Sequence, residues 1–449
     1  MKKYEQVMNL IKKQVAQGDI KPKERLPSIR KMAKACQVNK STVIKAYQLL
    51  EADHFIYAIP KGGYYLVDSV DSDKDQHYEI DFSLTQPDER LLPYQEFSHC
   101  FNKAVDTYKH AVFLDADPAG LMSLRQTLVK QMANQQVFTK LENVFVTNGS
   151  QQAMNILTQM NFPNNKEGIL VEEPGYDSMI ALAKLHKKPL YTIKRGIEGI
   201  DLKELERHFK ESDIKFFFTM PRFQNPLGTS YSEKVKEEIV KLAVRYDVYI
   251  VEDDCLIDID YNRKCLPMYY YDTSDYVIYI KSFTKSFIPG IRIGTVIVPS
   301  KLQSLFRRYK INADLFTSVF NQGALEIFIN SGLYDKHCLK IQDVYRKKMD
   351  MIRQFLKNHP KTGVRFKIPR SGVYIWLLLD KRLSVDVLFE NLLKERVLIK
   401  HGRQYFENNY NYDNGFRLCT YNLDDDSLKR GLTIILNEIE RLSLDIKPT

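Results

Sequence analysis

The segment from Ser282 to Gly294 carries three side chains whose types and spacing suit a chemical role. It contains a primary amine at Lys285, a hydroxyl before it at Ser282 and a guanidinium after it at Arg292. The apolar run at 277–280 predicts a β-strand, so Lys285 is expected in a loop at the strand's carboxyl end, where open α/β sheets bind ligands. Such an amine can form a Schiff base with pyridoxal phosphate while Ser282 and Arg292 hold the phosphate. A basic surface loop without a ligand is the alternative.

The other parts of a pyridoxal phosphate site follow predicted strands elsewhere in the chain. Asp253 could pair with the pyridine nitrogen and keep it protonated. Asn225 offers a donor to the ring's 3-oxygen, and Tyr176 offers an aromatic face for stacking. Ser150 and Gln151 begin a predicted helix whose backbone N–H groups could hold the phosphate. Each residue alone could be a helix cap, a turn or a packed tyrosine, but the whole set at strand ends favours the cofactor.

The elements that position these residues alternate between strands and helices from Ile80 onward. Strands that are apolar throughout and separated by helices predict a parallel sheet covered on both faces. A smaller α+β subdomain follows toward the C-terminus, and an amphipathic helix near 424–442 closes it. The predicted strands are 144–147, 168–172, 215–220, 248–252, 277–280 and 295–298.

The positive charge of the chain is concentrated near its N-terminus. The net charge of the 449 residues is +10, and residues 1–67 carry +8 of it. A small basic domain is typical of nucleic-acid binding, because each neutralised phosphate releases counterions. A helix over 3–17, a second helix capped by Ser28, a third from Lys40 and a hairpin over 55–67 predict a winged helix-turn-helix. A three-helix core unit without a DNA role is the alternative. We expect DNA contacts from Ser28, Arg30, Lys40, Ser41, Thr42, Lys45, Lys61 and Gly62.

These features resemble two known families and one architecture that joins them. Leu26-Pro27-Ser28, Lys40-Ser41-Thr42-Val43 and the Gly62-Gly63 wing resemble the winged helix of GntR-type bacterial regulators. Residues 80–445 resemble the fold type I aminotransferases, which implies the cofactor roles given above and adds Arg417 as the ligand of an effector α-carboxylate. Both halves on one chain resemble the MocR-type branch of the GntR regulators, whose aminotransferase-like domain senses rather than turns over. That resemblance implies a head-to-tail homodimer.

Two positions depart from the family pattern. The family usually has a tyrosine two residues after the pyridinium aspartate, and this chain has Cys255 there. Loss of that hydroxyl should weaken catalysis, which favours a sensor. The members that respond to γ-aminobutyrate have an arginine where this chain has Ser178, so we do not expect that effector.

The remaining composition narrows the class of protein. The six cysteines have no paired spacing, so neither a zinc site nor a disulfide framework is predicted, and we expect no metal. No run of 18 apolar residues occurs, so no membrane span is expected and the cytoplasm is the predicted location.

The prediction from sequence is therefore a pyridoxal phosphate-dependent transcriptional regulator that binds a double-stranded DNA operator. Its aminotransferase-like domain would sense pyridoxal phosphate or an amino compound, with at most weak transaminase activity. A catalytically active aminotransferase with an accessory DNA-binding domain is the alternative, and a DNA-binding protein with a purely structural large domain is a third possibility. We predict a DNA-binding domain at 1–67, a linker at 68–79 and an effector domain at 80–449, with its C-terminal subdomain from about 335 to 449.

Overall fold

The chain divides into two units, Met1–His77 and Tyr78–Thr449, in a computed structural model. Lys61 and the predicted linker, except for Glu79, lie outside the residues that the structure describes. The described residues are 3–16, 19–20, 24–52, 55–59, 62–66, 79–109, 116–261, 265–359, 363–408 and 411–444.

The first unit has the predicted order of three helices followed by a hairpin. These elements are α1 (Lys3–Ala16), α2 (Ile29–Ala35), α3 (Lys40–Ala52), β1 (Ile56–Ile59) and β2 (Gly63–Leu66). Ser28 caps α2 by accepting a hydrogen bond from the N–H of Lys31 at 3.3 Å. Gln37 has a φ of 52°, which turns the chain sharply between α2 and α3. The apolar faces of the helices then pack together, and the buried Tyr47 donates its hydroxyl to the carbonyl of Pro27 at 2.7 Å.

The second unit is built on one large sheet. Its strands lie in the order β4-β11-β10-β9-β8-β5-β6-β7. Every residue of β5, β8, β9 and β10 is buried, as expected for strands covered on both faces. The strands are β4 (Val144–Thr147), β5 (Gly168–Glu173), β6 (Leu190–Gly196), β7 (Gly199–Ile200), β8 (Ile214–Thr219), β9 (Tyr249–Asp253), β10 (Val277–Ser282) and β11 (Gly294–Ile297).

Helices cover both faces of this sheet. They are α4 (Tyr94–Tyr108), α5 (Met122–Ala133), α6 (Gly149–Gln159), α7 (Asp177–Leu185), α8 (Leu202–Glu211), α9 (Glu233–Arg245), α10 (Gln303–Asp314) and α11 (Val319–Asn330). Side chains of β8 alternate between the faces: Phe216 and Phe218 join the cluster of α6 and α7, whereas Phe217 joins the cluster of α8 and α9. The sheet is therefore the core of the unit.

The direction of the strands corrects one detail of the sequence prediction. Strands β5, β8, β9 and β10 are parallel to one another, as predicted, and β6, which the sequence did not predict, is parallel to β5. Strand β11 runs antiparallel to both β10 and β4. Residues 283–293, which join β10 to β11, form only the 3-10 turn Pro289–Ile291. A parallel return needs a crossover of a dozen or more residues, usually a helix, so this short connection forces the reversal.

The rest of the second unit forms the predicted smaller subdomain. Its strands β12, β13, β16 and β15 form an antiparallel sheet, and β14 pairs in parallel with β3. The elements are β3 (Ile80–Asp81), α12 (Leu333–Lys357), β12 (Val364–Phe366), β13 (Tyr374–Leu379), α13 (Val385–Lys394), β14 (Val397–Leu398), β15 (Lys400–His401), β16 (Gly415–Cys419) and α14 (Asp425–Leu444). Through β3, the first residues of the unit join its C-terminal part. None of the helices in the described ranges has the length and apolar character of a membrane span.

Candidate functional site

Lys285 lies directly after β10, at the carboxyl end of the parallel strands. Its backbone carbonyl accepts a hydrogen bond from the buried Tyr421 hydroxyl at 2.5 Å, which fixes the main chain at this position. Its side chain is partly buried, and Nζ donates to the carbonyl of Thr85 at 3.1 Å and to the Thr85 hydroxyl at 3.0 Å. The amine is thus aimed into the site and held by a segment that is distant in sequence.

The predicted phosphate ligands meet at one corner of the sheet. Gly294 at the start of β11 pairs with Ser282 on one side and with Thr147 on the other. A Cβ added to Gly294 would lie 2.9 Å from the backbone nitrogen of Ser150, so β11 and the first turn of α6 are in close contact. Helix N-termini bring unpaired N–H groups and a partial positive charge, so this corner suits a phosphate.

Arg292 faces the same corner. It adopts a left-handed conformation with a φ of 51°, and a Cβ added to Gly149 would lie 3.1 Å from its Nη2 atom. Gly149 itself has a φ of 73°. A Cβ at this backbone angle would crowd the guanidinium, so glycine at position 149 allows Arg292 to lie against the first turn of α6.

Asp253 is the last residue of β9, and its carboxylate is buried. The next residue, Asp254, is also a buried carboxylate, but its partners differ from those of Asp253. The adjacent Asp254 forms an ion pair with Arg222 and accepts the Tyr279 hydroxyl at 2.7 Å. Asp253 accepts the N–H of Cys255 at 3.2 Å, and burial followed by repulsion from Asp254 raises its pKa to about 7. A cationic group placed beside Asp253 would offset this cost, which is what a protonated pyridine nitrogen provides.

Tyr176, Asn225 and Arg417 complete the site. The ring of Tyr176 stacks on Phe218 with centroids 6.1 Å apart, and its hydroxyl accepts a hydrogen bond from Gln151 at 3.4 Å. Burial, followed by repulsion from Asp253, raises the pKa of the Tyr176 hydroxyl. Arg417 donates through Nη1 to Oδ1 of Asn225 at 3.1 Å, which orients the Asn225 amide.

The guanidinium of Arg417 has unused hydrogen-bonding capacity. Nη2 donates to the carbonyl of Ser83 at 2.6 Å, but among the residues that the structure describes, the buried Nε has no partner. The guanidinium lies over the rings of Tyr374 and Tyr405, 5.1 and 5.6 Å from their centroids. A buried donor without an acceptor is costly, so a carboxylate ligand fits here.

The residues present therefore fit pyridoxal phosphate. An amine, an arginine beside a helix N-terminus, a desolvated carboxylate and an aromatic ring lie around one edge of the large sheet, and Arg417 of β16 joins them through Asn225. Cys255 is buried where the family has a tyrosine, and burial raises the pKa of its thiol well above the ordinary value. It therefore supplies a neutral thiol instead of the phenolic hydroxyl.

Sequence reasoning missed Thr85 and Ser83. The contacts of these two residues with Lys285 and Arg417 join positions hundreds of residues apart in the chain, and Ser83-Leu84-Thr85-Gln86 has no recognisable motif. Tyr374 and Tyr405 were missed because an aromatic residue in a strand or loop is usually a core residue.

The predicted DNA contacts lie in the first unit. Arg30, Lys40 and Ser41 are exposed on α2 and at the start of α3. Lys45 is exposed, and its Nζ lies 4.7 Å from the centroid of the Tyr4 ring. The ammonium group of Lys45 therefore already makes a cation–π contact with α1. The N–H of Gly62 donates to the carbonyl of Ile59 at 2.8 Å in the turn of the wing. Lys61 lies outside the described residues.

Comparison with known families identifies both units. The family of class I and II aminotransferases matches residues 97–435, and the gntR family of bacterial regulatory proteins matches residues 3–66. The HTH-type transcriptional regulator YcxD of Bacillus subtilis (strain 168) is 40% identical over 98% of this chain and 100% of its own length. The HTH-type transcriptional regulator NorG of Staphylococcus aureus (strain USA300) is 26% identical over 85% of this chain and 92% of its own length.

Solved structures agree on the fold of the second unit. The α-aminoadipate aminotransferase LysN of Thermus thermophilus, complexed with N-(5'-phosphopyridoxyl)-L-leucine, has a TM-score of 0.74 at 24% identity, over 82% of this chain and 93% of that chain. The kynurenine aminotransferase of Pyrococcus horikoshii has a TM-score of 0.76 at 22% identity, over 92% and 97%. The chain therefore belongs to the GntR-family regulators of MocR-type architecture, in which a helix-turn-helix domain is joined to a class I and II aminotransferase domain.

Proposed function

We propose that this protein is a cytoplasmic transcriptional regulator that holds pyridoxal phosphate on Lys285 and binds operator DNA through Met1–His77. Occupancy of the aminotransferase-like site by the cofactor, or by an amino compound acting on it, would change the affinity for DNA. The observation that carries the proposal is the convergence of Lys285, Asp253 and Arg292 at one edge of the sheet, in a chain that also carries a GntR domain.

Each residue of the site would have a distinct task. When bound, pyridoxal phosphate supplies an electrophilic aldehyde carbon and an electron-withdrawing ring. Lys285 would offer its amine to that carbon, and Asp253 would hold a proton on the ring nitrogen. Arg292 and the first N–H groups of α6 would bind the phosphate, together with the Ser282 hydroxyl.

Arg417 supports an amino acid or a related carboxylate as effector. Its guanidinium is already oriented by Asn225, and its buried Nε lacks an acceptor within the described part of the chain. A planar guanidinium binds carboxylates in a bidentate manner, so it selects effectors that carry such a group. An effector shifts the DNA-binding equilibrium only by its difference in affinity for the two states of the protein.

Cofactor binding is tested by spectroscopy and by chemical trapping. Full-length protein supplied with pyridoxal phosphate should gain absorbance in the visible range, and reduction with borohydride should fix the cofactor to the peptide that contains Lys285. Lys285→Ala should abolish trapping. Lys301→Ala, which alters an exposed lysine of the same unit, is the control and should trap normally. Trapping in the Lys285→Ala protein at the wild-type level would contradict the proposal.

DNA binding is tested by its dependence on salt. Replacing Lys40 with Gln should weaken operator binding and reduce the slope of log K against log salt by about 0.9 if Lys40 neutralises one phosphate. Lys13→Gln, which removes an exposed charge from α1, is the matched control. Equal slopes for the Lys40 variant and the wild type would remove Lys40 from the interface.

The rival function is a working aminotransferase, and a steady-state assay separates the two. Several amino acids with 2-oxoglutarate should give no sustained turnover at ordinary enzyme rates, because Cys255 replaces the phenolic hydroxyl of the family. Rates of about 1 s⁻¹ or higher are typical of enzymes and would favour the rival.

A homodimer is part of the same proposal and is supported by the family architecture. Sedimentation of the full-length protein with and without pyridoxal phosphate tests it. A monomer at micromolar concentration under both conditions would contradict this part alone.

A further inference from the structure

The segment of residues 83–85, which we call the strap, contacts both cationic groups of the candidate site. The carbonyl and hydroxyl of Thr85 accept hydrogen bonds from Lys285 Nζ at 3.1 and 3.0 Å. The carbonyl of Ser83 accepts one from Nη2 of Arg417 at 2.6 Å. Leu84, between them, is 41% exposed. The strap therefore crosses the surface of the site, with the contacts of Ser83 and Thr85 directed toward Arg417 and Lys285.

Phe82, the residue just before the strap, is held by hydrogen bonds on both sides. The N–H of Phe82 donates to the carbonyl of Leu398 at 2.8 Å, and the carbonyl of Phe82 accepts from the N–H of Cys419 at 2.9 Å. The ring of Phe82 is fully buried. The strap is therefore attached to the C-terminal subdomain, whereas Lys285 belongs to the large sheet, so the Thr85 contact ties these two parts together.

Occupancy of the site removes or weakens contacts that hold the strap. Attachment of Lys285 Nζ to an aldehyde carbon, with release of water, leaves at most one proton on the nitrogen, so Nζ cannot continue to donate to both Thr85 oxygens. The main chain of Lys285 is held by Tyr421 and cannot follow the strap. A carboxylate that binds Arg417 through Nε and Nη2 would share Nη2 with the Ser83 carbonyl and weaken that contact.

We propose that the strap is an internal competitor for Lys285 and Arg417, and that occupancy of the site releases it. This inference rests on the proposed function. A competitor also lowers the apparent affinity for the ligand, because only the fraction of molecules with the strap released can bind.

Removing one contact of the strap tests the inference, because the direction of the change in affinity for pyridoxal phosphate decides it. Thr85→Val keeps the shape of the side chain but removes one of the two acceptors of Nζ. Because hydrogen bonds to charged groups are among the stronger ones, full-length Thr85→Val protein should bind pyridoxal phosphate about tenfold more tightly in an absorbance titration. Thr139→Val removes a hydroxyl that accepts from Tyr269 in a different part of the unit, and it should leave the affinity unchanged.

Unchanged or weaker binding by Thr85→Val would overturn the inference, because Thr85 would then be neutral or would help to place the amine. A second measurement does not depend on a variant. In hydrogen exchange of the wild type, amides 83–86 should exchange faster after addition of pyridoxal phosphate, and equal or slower exchange would also contradict release. If the wild type binds no pyridoxal phosphate at all, the proposed function fails together with the strap. Binding that is equal in the wild type and Thr85→Val refutes the strap alone.

Discussion

Replacing Asp253 with Asn should change how the stability of the cofactor-free protein depends on pH. Burial and the neighbouring Asp254 raise the pKa of Asp253 from 3.8 to about 7. Between these values the unfolded chain has lost the proton and the folded protein keeps it, so the folded state binds more protons. The free energy of unfolding therefore falls as pH rises through this range, and above pH 7 the full cost remains.

The size of the effect follows from the shift. A displacement of about 3 pKa units corresponds to about 4 kcal/mol in total, and the part between about pH 5.5 and pH 8 is about 2 kcal/mol. An asparagine at this position cannot ionise, so the stability of Asp253→Asn relative to the wild type should improve by about this amount over the same interval. Any pH-independent cost of the substitution cancels in the comparison.

The assay uses the single tryptophan of the chain. Trp376 is 1% exposed in β13 and packs against Leu227, so its fluorescence reports unfolding of the second unit. Urea titrations of both full-length proteins at the two pH values give the required free energies. If the difference between Asp253→Asn and the wild type is the same at both pH values, the carboxylate of Asp253 is not desolvated as described. Pyridoxal phosphate should stabilise the wild type more than Asp253→Asn, because in the proposed function its ring nitrogen would pair with the carboxylate.

Three further substitutions test other parts of the molecule. Gly149→Ala places a Cβ at a φ of 73° and 3.1 Å from Arg292. Pyridoxal phosphate should therefore bind to this variant at least about tenfold more weakly in an absorbance titration. Gly290 has open space around it, so Gly290→Ala is the control and should not change the affinity. Lys281→Met removes the partner of Asp258 from an ion pair 2.7 Å long in which both side chains are fully buried. The free energy of unfolding in urea should therefore fall by about 3–5 kcal/mol. A loss below about 1 kcal/mol would show that Asp258 does not need Lys281 to offset its buried charge. Tyr47→Phe removes the hydroxyl that binds the Pro27 carbonyl, so calorimetry of the full-length protein should show a loss of about 1 kcal/mol confined to the transition of the first unit, and a change in the other transition would contradict this assignment.

The sequence alone predicted every strand of the large sheet that contributes a site residue. Each of those strands is mostly apolar, because a strand covered on both faces buries all its side chains, and a polar residue within it, such as Lys215 of β8, needs buried partners. The winged helix was equally visible, since caps and turns such as Ser28 and Gln37 are local features. The direction of β11 was not visible, because it depends on the absence of a crossover helix rather than on the composition of the strand.

The candidate site residues were chosen from the sequence because Lys285 and Asn225 follow strands, Asp253 ends one, and parallel strands end at one edge of the sheet. The hydrogen-bond and ion-pair partners of these side chains, and the raised pKa of Asp253, were decided only by the tertiary structure. Asp253 and Asp254 are identical side chains in adjacent positions, and only the fold gives Arg222 to one of them and leaves the other with a raised pKa. The strap is a tertiary feature in the same sense: Thr85 and Lys285 are far apart in the chain, and no local pattern records that the amine and its acceptor meet.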